Sequence, residues 1–211
     1  MFDFKKAAET QARLSTRLKL SWDSRNIQYV GGADSSYDET KKKIGVVVVV
    51  YKVPELILVE ISREIQDVSI PYVPGFLNYR EGPAFLRAFR KLSHVPDVTL
   101  IDGNGIAHPR RMGLASYVGV ILDISTIGCA KSPFYPYTDP GEERGSHTPF
   151  TDTKGEQVGF CLRTRSGTNP VFVSPGNRTD FTISRQVVLG MSVYRIPEPL
   201  RRADHLAGKI F

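Results

Sequence analysis

The stretch KIGVVVVVYKV, residues 43–53, decides the fold. Valine is β-branched and favours strands, and five valines in a row predict a strand that is buried on both faces. The neighbouring stretches 26–37 and 55–65 are also rich in β-branched and apolar residues. The short breaks that we expect around these strands are Gly31–Gly32, Lys41–Lys43 and Pro54. The pattern therefore predicts three consecutive antiparallel strands.

After this meander, helical and strand patterns alternate. Residues 81–93 carry apolar side chains at helical spacing, which predicts an amphipathic helix, and Glu81 lies one turn before Phe85 and should face the sheet. The other predicted elements are helices at 3–19, 110–122 and 180–192, strands ending at Asp102 and Lys131, a hairpin over 157–177, and a surface excursion at 133–157. We expect an α/β fold with a central mixed β-sheet flanked by helices, forming a single domain over residues 1–211.

Composition narrows the classes of function. The chain has 28 Lys and Arg against 22 Asp and Glu, and its pI near 9.3 is compatible with an anionic partner such as nucleic acid. Two cysteines are too few for a disulfide framework or a four-cysteine metal site. No apolar run has the length of a membrane span, and the first residues lack the apolar block of a secretory signal. We expect a cytoplasmic monomer.

Three acidic residues stand where a carboxylate is energetically costly. Asp34 ends the first strand, Glu81 opens a helix that faces the sheet, and Asp102 ends the apolar strand VTLI. Each taken alone is explained as a turn residue or as an acid at a helix N-terminus. Together they supply the oxygen ligands that Mg²⁺ prefers, with Mn²⁺ as the alternative ion. Such a site activates water and neutralises charge on a phosphodiester.

The loop IPYVPGFLNYRE, residues 70–81, holds large apolar side chains between two prolines and a glycine. This segment is too irregular for a strand or a helix. Considered alone, it is best explained as a turn packed over the core. Proline also fixes the backbone in advance, so the loop would lose little conformational entropy on inserting into a partner.

Several long motifs resemble those of the endonuclease V family, nucleases that act on deaminated bases. The matching stretches are GGADSSY, PYVPGFLNYRE, DGNGIAHPRRMGLASYVG, GCAKS, SPGNR and YRIPEPLRRAD, and they extend over nearly the whole chain. The resemblance implies a ribonuclease H-like fold in which Asp34, Glu81 and Asp102 bind Mg²⁺. These are the same three acids that stand out by their positions at the ends of predicted strands and at the start of a predicted helix.

The resemblance also implies how damaged nucleic acid is bound. The loop residues that would act as a wedge in the duplex are Pro71, Tyr72, Val73 and Pro74, with Tyr72 stacking where the base has left. The residues that would line the pocket for the flipped base are Gly75, Leu77, Gly103 and Ile106.

Further residues obtain a role only through this resemblance. His108 would contact the phosphate strand, Arg110 or Arg111 would position its backbone, and Lys131 would hold the scissile phosphate or stabilise the leaving oxygen. Asn104 and Asn177 replace histidines of the family motifs. Asn177 is expected close to the metal site, where an amide replaces a titratable group.

The sequence thus predicts a Mg²⁺-dependent endonuclease that flips deoxyinosine, or inosine in RNA. By resemblance, it cuts the second phosphodiester 3′ to the lesion and leaves a 5′-phosphate, a reaction of DNA repair. One alternative is a nuclease of the same fold that cuts flaps or junctions regardless of base. Another is a protein that binds inosine without cutting, which the three acids disfavour because carboxylates repel phosphates.

Overall fold

The computed structural model describes residues 2–211, which form a mixed eight-stranded sheet between two layers of helices. The strands are β1 (Tyr29–Asp38), β2 (Lys43–Lys52), β3 (Ile57–Asp67), β4 (Val98–Ile101), β5 (Thr126–Ala130), β6 (His147–Thr151), β7 (Gln157–Leu162) and β8 (Val171–Asn177). Their order across the sheet is β3-β2-β1-β4-β5-β8-β7-β6. The predicted central mixed sheet is confirmed, and so are the three antiparallel strands of the meander.

Six helices complete the described part of the chain. They are α1 (Phe4–Ser15), α2 (Leu77–Arg80), α3 (Gly82–Arg90), α4 (Leu114–Leu122), α5 (Phe181–Gly190) and α6 (Glu198–Ala207). Helices α3 and α4 pack on one face of the sheet, and α5 and α6 pack on the other. None of the helices in residues 2–211 is long and apolar enough to cross a membrane.

The valine run is buried on both faces, as its sequence predicts. Val46 and Val48 pack in the cluster that includes α3 and α4. Val47 and Val49 pack instead against α6. Successive side chains of a strand point to opposite faces, so β2 needs apolar residues at every position.

The centre of the sheet is parallel, because β4 pairs in parallel with both β1 and β5. The carboxyl ends of these three strands therefore meet at one edge. Asp34 lies in β1, Asp102 directly follows β4, and Lys131 directly follows β5. Ligands of open α/β sheets bind at this edge.

Two departures from the predicted elements have clear physical reasons. The helix expected over 110–122 begins only at Leu114, because Arg111 adopts a left-handed backbone with φ of 55°. Gly31 and Gly32 do not break a strand, since both lie inside β1. A side chain at Gly32 would collide with the backbone of Pro199, which lies in the first turn of the C-terminal helix. Gly32 therefore permits the close approach of α6 to the sheet.

Candidate active site

Three aspartates converge at the carboxyl edge of the central strands. One carboxylate oxygen each from Asp34, Asp102 and Asp204 lies within 4.8 Å of the others. Adjacent strands hold the first two, and the backbone N–H of Asp102 donates to the carbonyl of Ala33 at 3.0 Å. The third comes from the last turn of α6, which packs across β1 and β2. Oxygen donors at this spacing suit a hard divalent cation.

Lys131 reaches into this group of acids. Its ammonium lies 2.7 Å from Asp102 Oδ2, 3.0 Å from Asp204 Oδ1 and 3.8 Å from Asp34 Oδ2. Burial acts to lower the pKa of Lys131, but the charges of Asp102 and Asp34 and the hydrogen bonds to Asp102 and Asp204 outweigh it and raise the pKa. A cationic group thus already occupies the space between the acids, which shows that their geometry accepts a cation.

Asp34 is the most buried of the three acids. Burial, reinforced by the charge of Asp102, raises the pKa of Asp34 to about 8. A carboxylate in this position is stabilised in its charged form by a nearby cation. The donor set therefore fits a metal ion, which would supply that charge.

Glu81 lies next to the three aspartates but outside their group. It caps the start of α3, and its carboxylate accepts a hydrogen bond of 3.0 Å from Ser35 Oγ. Burial raises the pKa of Glu81, although the hydrogen bond from Ser35 opposes this shift. The structure thus brings together Asp34 and Asp102 as expected, adds Asp204, and links Glu81 to the residue that follows Asp34.

Asp204 is the site residue that sequence reasoning missed. The motif YRIPEPLRRAD contains it, but we did not predict a helix there. Proline in the first turn is typical of helix starts, and Pro199 occupies such a position in α6. Gly32 of β1 is a second signal, since a glycine in a strand permits a close neighbour over it.

A cavity of about 120 Å³ opens beside the acids. It is smaller than the roughly 300–1,000 Å³ of sites for drug-sized ligands, so it suits one flat heterocycle. The lining residues are Tyr72, Pro74, Gly75, Leu77, Asn78, Gly103, Asn104, His108, Met112, Gly113, Leu114 and Phe134. Asp102 and Gly103 are consecutive, so the acid group and the cavity share one turn of chain.

Three of the four residues expected in the base pocket line this cavity, namely Gly75, Leu77 and Gly103. Ile106 does not. Its backbone N–H donates to the carbonyl of Pro175 at 2.8 Å, and its side chain is buried. The turn after Asp102 thus directs Ile106 into the protein interior, and Asn104 lines the cavity in its place.

The loop beside the cavity is held in place by hydrogen bonds to the carbonyl of Gly75. This oxygen accepts hydrogen bonds from Gln11 Nε2 at 3.0 Å, Arg110 at 2.8 Å and His108 Nε2 at 3.1 Å. The guanidinium of Arg110 also stacks on Phe76. Gly75 has a φ of 81°, which favours glycine. The second half of the loop is therefore rigid.

His108 takes part in holding this loop in place. Its Nδ1 accepts from the backbone N–H of Arg110 at 3.1 Å, so the proton is on Nε2, which donates to Gly75. Burial lowers the pKa of His108 to about 4, so the ring is neutral at physiological pH. Both ring nitrogens are thus engaged within the protein.

The first half of the loop is open to solvent. Tyr72 is 62% exposed, the largest exposed fraction among the aromatic side chains of the described residues. Pro71 and Pro74 are exposed beside it, and Val73 is half-buried. Tyr72 is thus an exposed aromatic residue at the rim of the cavity, and its loop is held in place by hydrogen bonds. This geometry suits a side chain that stacks on a base.

Asn177 lies away from the acids, and the expectation that it is close to the metal site is wrong. It pairs with Thr126 at the start of β5, whereas Lys131 follows the end of that strand. Five residues of strand separate them, about 16 Å. The buried amide of Asn177 donates to the carbonyls of Gly119 and Ile124 and accepts from Lys19, so its role is structural.

Arg111 is also directed away from the acids. It forms ion pairs with Asp152, at 2.8 Å, and with Glu156. Both acids belong to the turn between β6 and β7. Arg111 therefore holds that hairpin against the motif that also carries His108 and Arg110.

Comparison with known proteins assigns the family. The endonuclease V family model matches residues 11–205. The endonuclease V of Dictyoglomus turgidum is 42% identical, over 98% of this chain and 90% of its own length. The structure of the Streptomyces avermitilis endonuclease V has a TM-score of 0.94 and 39% identity, covering 99% of this chain and 93% of that one.

One further neighbour contains nucleic acid. It is a variant of the Ciona intestinalis endonuclease V in complex with a 23-mer DNA containing an inosine followed by a ribo-adenosine. Its TM-score is 0.87 at 27% identity, covering 99% of this chain and 98% of that one. The shared architecture is the ribonuclease H-like fold. The chain therefore belongs to the endonuclease V family and is a nuclease that cleaves phosphodiester bonds.

Proposed function

We propose that this protein is a Mg²⁺-dependent endonuclease that flips deaminated bases, deoxyinosine in DNA or inosine in RNA, out of the helix. It hydrolyses the second phosphodiester 3′ to the lesion. The observation that carries this proposal is that the acid group adjoins the cavity, because Asp102 belongs to the acid group and the next residue, Gly103, lines the cavity. A nuclease that cuts without regard to base has no need of a cavity of this size.

Asp34, Asp102 and Asp204 would hold the metal ion, and Glu81 would support them through Ser35. When bound, Mg²⁺ supplies a Lewis acid that neutralises phosphate charge and lowers the pKa of a bound water. Mn²⁺ accepts the same oxygen donors. The chain itself contributes the fixed spacing of the acids, since two come from paired strands.

Lys131 has a second role in this proposal. Its ammonium forms ion pairs with Asp102 and Asp204. A long, flexible side chain that is 44% exposed at its surface can turn toward a phosphate oxygen that enters the site. It would there stabilise negative charge on the leaving oxygen.

Tyr72 and the cavity act on the base. The aromatic ring would stack in the gap that the flipped base leaves, which offsets part of the cost of unstacking. Gln11, Arg110 and His108 hold the loop in place through Gly75, so little ordering is required on binding. The base would then enter the cavity between the loop and the turn after Asp102.

The test uses matched DNA and RNA duplexes, each with or without one inosine, incubated with Mg²⁺, Mn²⁺ or chelator. We expect cleavage only with metal and inosine, with a product that maps to the second bond 3′ of the lesion. Equal cleavage of inosine-free flaps would favour the structure-specific nuclease. Binding of inosine without cleavage under any metal would favour the binding protein.

A further inference from the structure

One residue in the wall of the base cavity carries a buried donor without a partner. Asn78 in α2 lines the cavity and is almost fully buried. Its Nδ2 makes no hydrogen bond. Within residues 2–211, the other buried side-chain polar atoms without a partner are hydroxyls of Thr99, Ser125 and Ser184, and none of these residues lines the cavity. Native proteins rarely leave such a group unpaired, so each one calls for a reason.

The neighbouring hydrogen bonds fix which atom of the Asn78 amide is unpaired. Arg110 carries only donors, so the Gln11 atom that faces its Nε must be the oxygen. Gln11 Nε2 then donates to the carbonyl of Gly75 at 3.0 Å and to Asn78 at 2.7 Å. The Asn78 atom that accepts this bond is Oδ1. The amino group is therefore the free end.

Leaving an amino group unpaired in a buried wall destabilises the folded protein. An apolar residue of similar size at this place would avoid that cost. Gln11 and Asn78 instead form a chain of hydrogen bonds from Arg110 that ends in a donor with no acceptor. An acceptor that enters the cavity would complete the chain.

Deamination creates such an acceptor. Adenine presents an amino donor at its position 6, whereas a 6-keto purine presents an oxygen acceptor there, as guanine does. Extending the proposed function, on which this step rests, we propose that Asn78 is a specificity-determining residue for the 6-keto oxygen. Its Nδ2 donates to that oxygen of the flipped hypoxanthine. Adenine would set donor against donor and leave both unpaired.

Nδ2 is covered in the base-free protein, so water does not satisfy it. Entry of a base must uncover it. A site built to hydrogen-bond one group rejects an analogue that lacks the group more strongly than an apolar site does, because its own polar atom stays unpaired. Asn78 therefore distinguishes the damaged base from its parent by the group that deamination changes.

The test pairs variants of Asn78 with analogues of the base. Asn78→Asp keeps the oxygen that accepts from Gln11 and removes the amino donor, and Asn78→Leu removes both. The substrates are single-stranded oligonucleotides that contain hypoxanthine, adenine, or purine without a substituent at position 6. Single strands remove the cost of opening a duplex. The control is Ser184→Ala, which deletes an unpaired buried hydroxyl of α5 outside the cavity.

For the parent protein, kcat/KM should fall about tenfold from hypoxanthine to the unsubstituted purine, the effect of one hydrogen bond. Both Asn78 variants should have a kcat/KM on hypoxanthine that is about tenfold below that of the parent. Their kcat/KM on the unsubstituted purine should stay close to the parent's value. Their preference for hypoxanthine over adenine should be smaller than the parent's. Ser184→Ala should keep the parent's preference.

Three outcomes are decisive. If the parent cuts no hypoxanthine substrate, the proposed function fails before Asn78 is tested. If the parent cuts hypoxanthine, but the Asn78 variants keep its full preference over the unsubstituted purine, the inference about Asn78 is wrong. If the variants do not fold, the parent alone decides, because equal rates on hypoxanthine and the unsubstituted purine would show that no donor reads position 6.

Discussion

The ammonium of Lys131 lies 3.0 Å from a carboxylate oxygen of Asp204, a residue 73 positions further along the chain. This ion pair links the end of β5 to α6 across the site and joins two acids on neighbouring strands to a third on a helix. The site is thus assembled from four separate segments. Each of them can be tested by a single substitution.

Asp34→Asn or Asp102→Asn should abolish cleavage and leave binding of an inosine duplex intact or tighter. Each substitution removes a ligand charge and also a repulsion toward phosphate. Cleavage on gels and binding by fluorescence anisotropy measure the two effects. Metal-dependent cutting by both variants would contradict the proposed site.

Asp204→Asn tests the acid that the sequence did not reveal. Removing one unit charge at about 4 Å from a cation costs about 1 kcal/mol in water and about 4 kcal/mol near a protein surface. The affinity for Mg²⁺ should therefore fall at least about fivefold, as measured by titration calorimetry. An affinity equal to that of the parent would remove Asp204 from the ligand set. Asp123→Asn is the matched control, because Asp123 at the C-terminal end of α4 also forms ion pairs, with Lys19 and Arg178, but is not a member of the acid group.

Lys131→Met should make the protein depend on metal for its stability. The ammonium is the cation that the three acids share, so its loss leaves them to repel one another. We expect a lower Tm in chelator and a larger rise of Tm with Mg²⁺ than in the parent. Differential scanning calorimetry in both conditions measures this. Equal rises would mean that Lys131 does not compensate the acids.

His108 should make the protein sensitive to acid. Its pKa is about 4 in the folded protein and near 6.5 when unfolded, so the unfolded chain binds more protons between these values. The stability that the neutral ring contributes is complete above pH 6.5 and is lost as pH falls toward 4. The loss amounts to roughly 3 kcal/mol. In His108→Gln, urea unfolding at several pH values should show a flatter profile, and an unchanged slope would contradict this assignment.

Tyr72→Ala should impair cutting of inosine in duplexes more than in single strands. Stacking on an aromatic side chain contributes about 1–3 kcal/mol per base, and it matters most when a duplex must be opened. The ratio of the two kcat/KM values is the measurement. Tyr194→Ala removes a ring that is also exposed but belongs to the opposite end of the sheet, and it serves as the control. Equal losses on both substrates would show that Tyr72 is not a wedge.

Asn177→His should destabilise the protein and add no step to catalysis. An imidazole cannot reproduce the two donations to Gly119 and Ile124 together with the acceptance from Lys19. We expect a loss of about 1–3 kcal/mol in the free energy of unfolding. A faster enzyme with a new inflection near neutral pH would return Asn177 to the active site.

The sequence predicted most strands of the sheet, because the pattern of a buried strand is local in the sequence. The valine run required burial on both faces, and the acid after VTLI marked the end of a buried strand. It did not predict β6, because Pro149 and charged neighbours obscure the strand pattern in the excursion at 133–157.

The active site was predicted only in part, because some of its residues are placed by contacts between distant parts of the chain. Asp34 and Asp102 follow from their own strands, but Asp204 depends on where a helix docks, which a local pattern does not encode. Asn177 was misplaced because its motif adjoins a strand end, and only the pairing of β8 antiparallel to β5 decides which edge that is. Hydrogen bonds between distant residues, such as Gln11 with Asn78, leave no trace in spacing.

The parallel pairing of β1 with β4 makes the active site depend on residue count as well as residue identity. Ala33 stands opposite Ile101, and the next residue of each strand is an acid. A one-residue insertion in either strand would turn its acid to the other face of the sheet, while every residue type stayed the same. Insertions and deletions should therefore be confined to the loops, whereas substitutions that keep the acids and Gly32 leave this register intact.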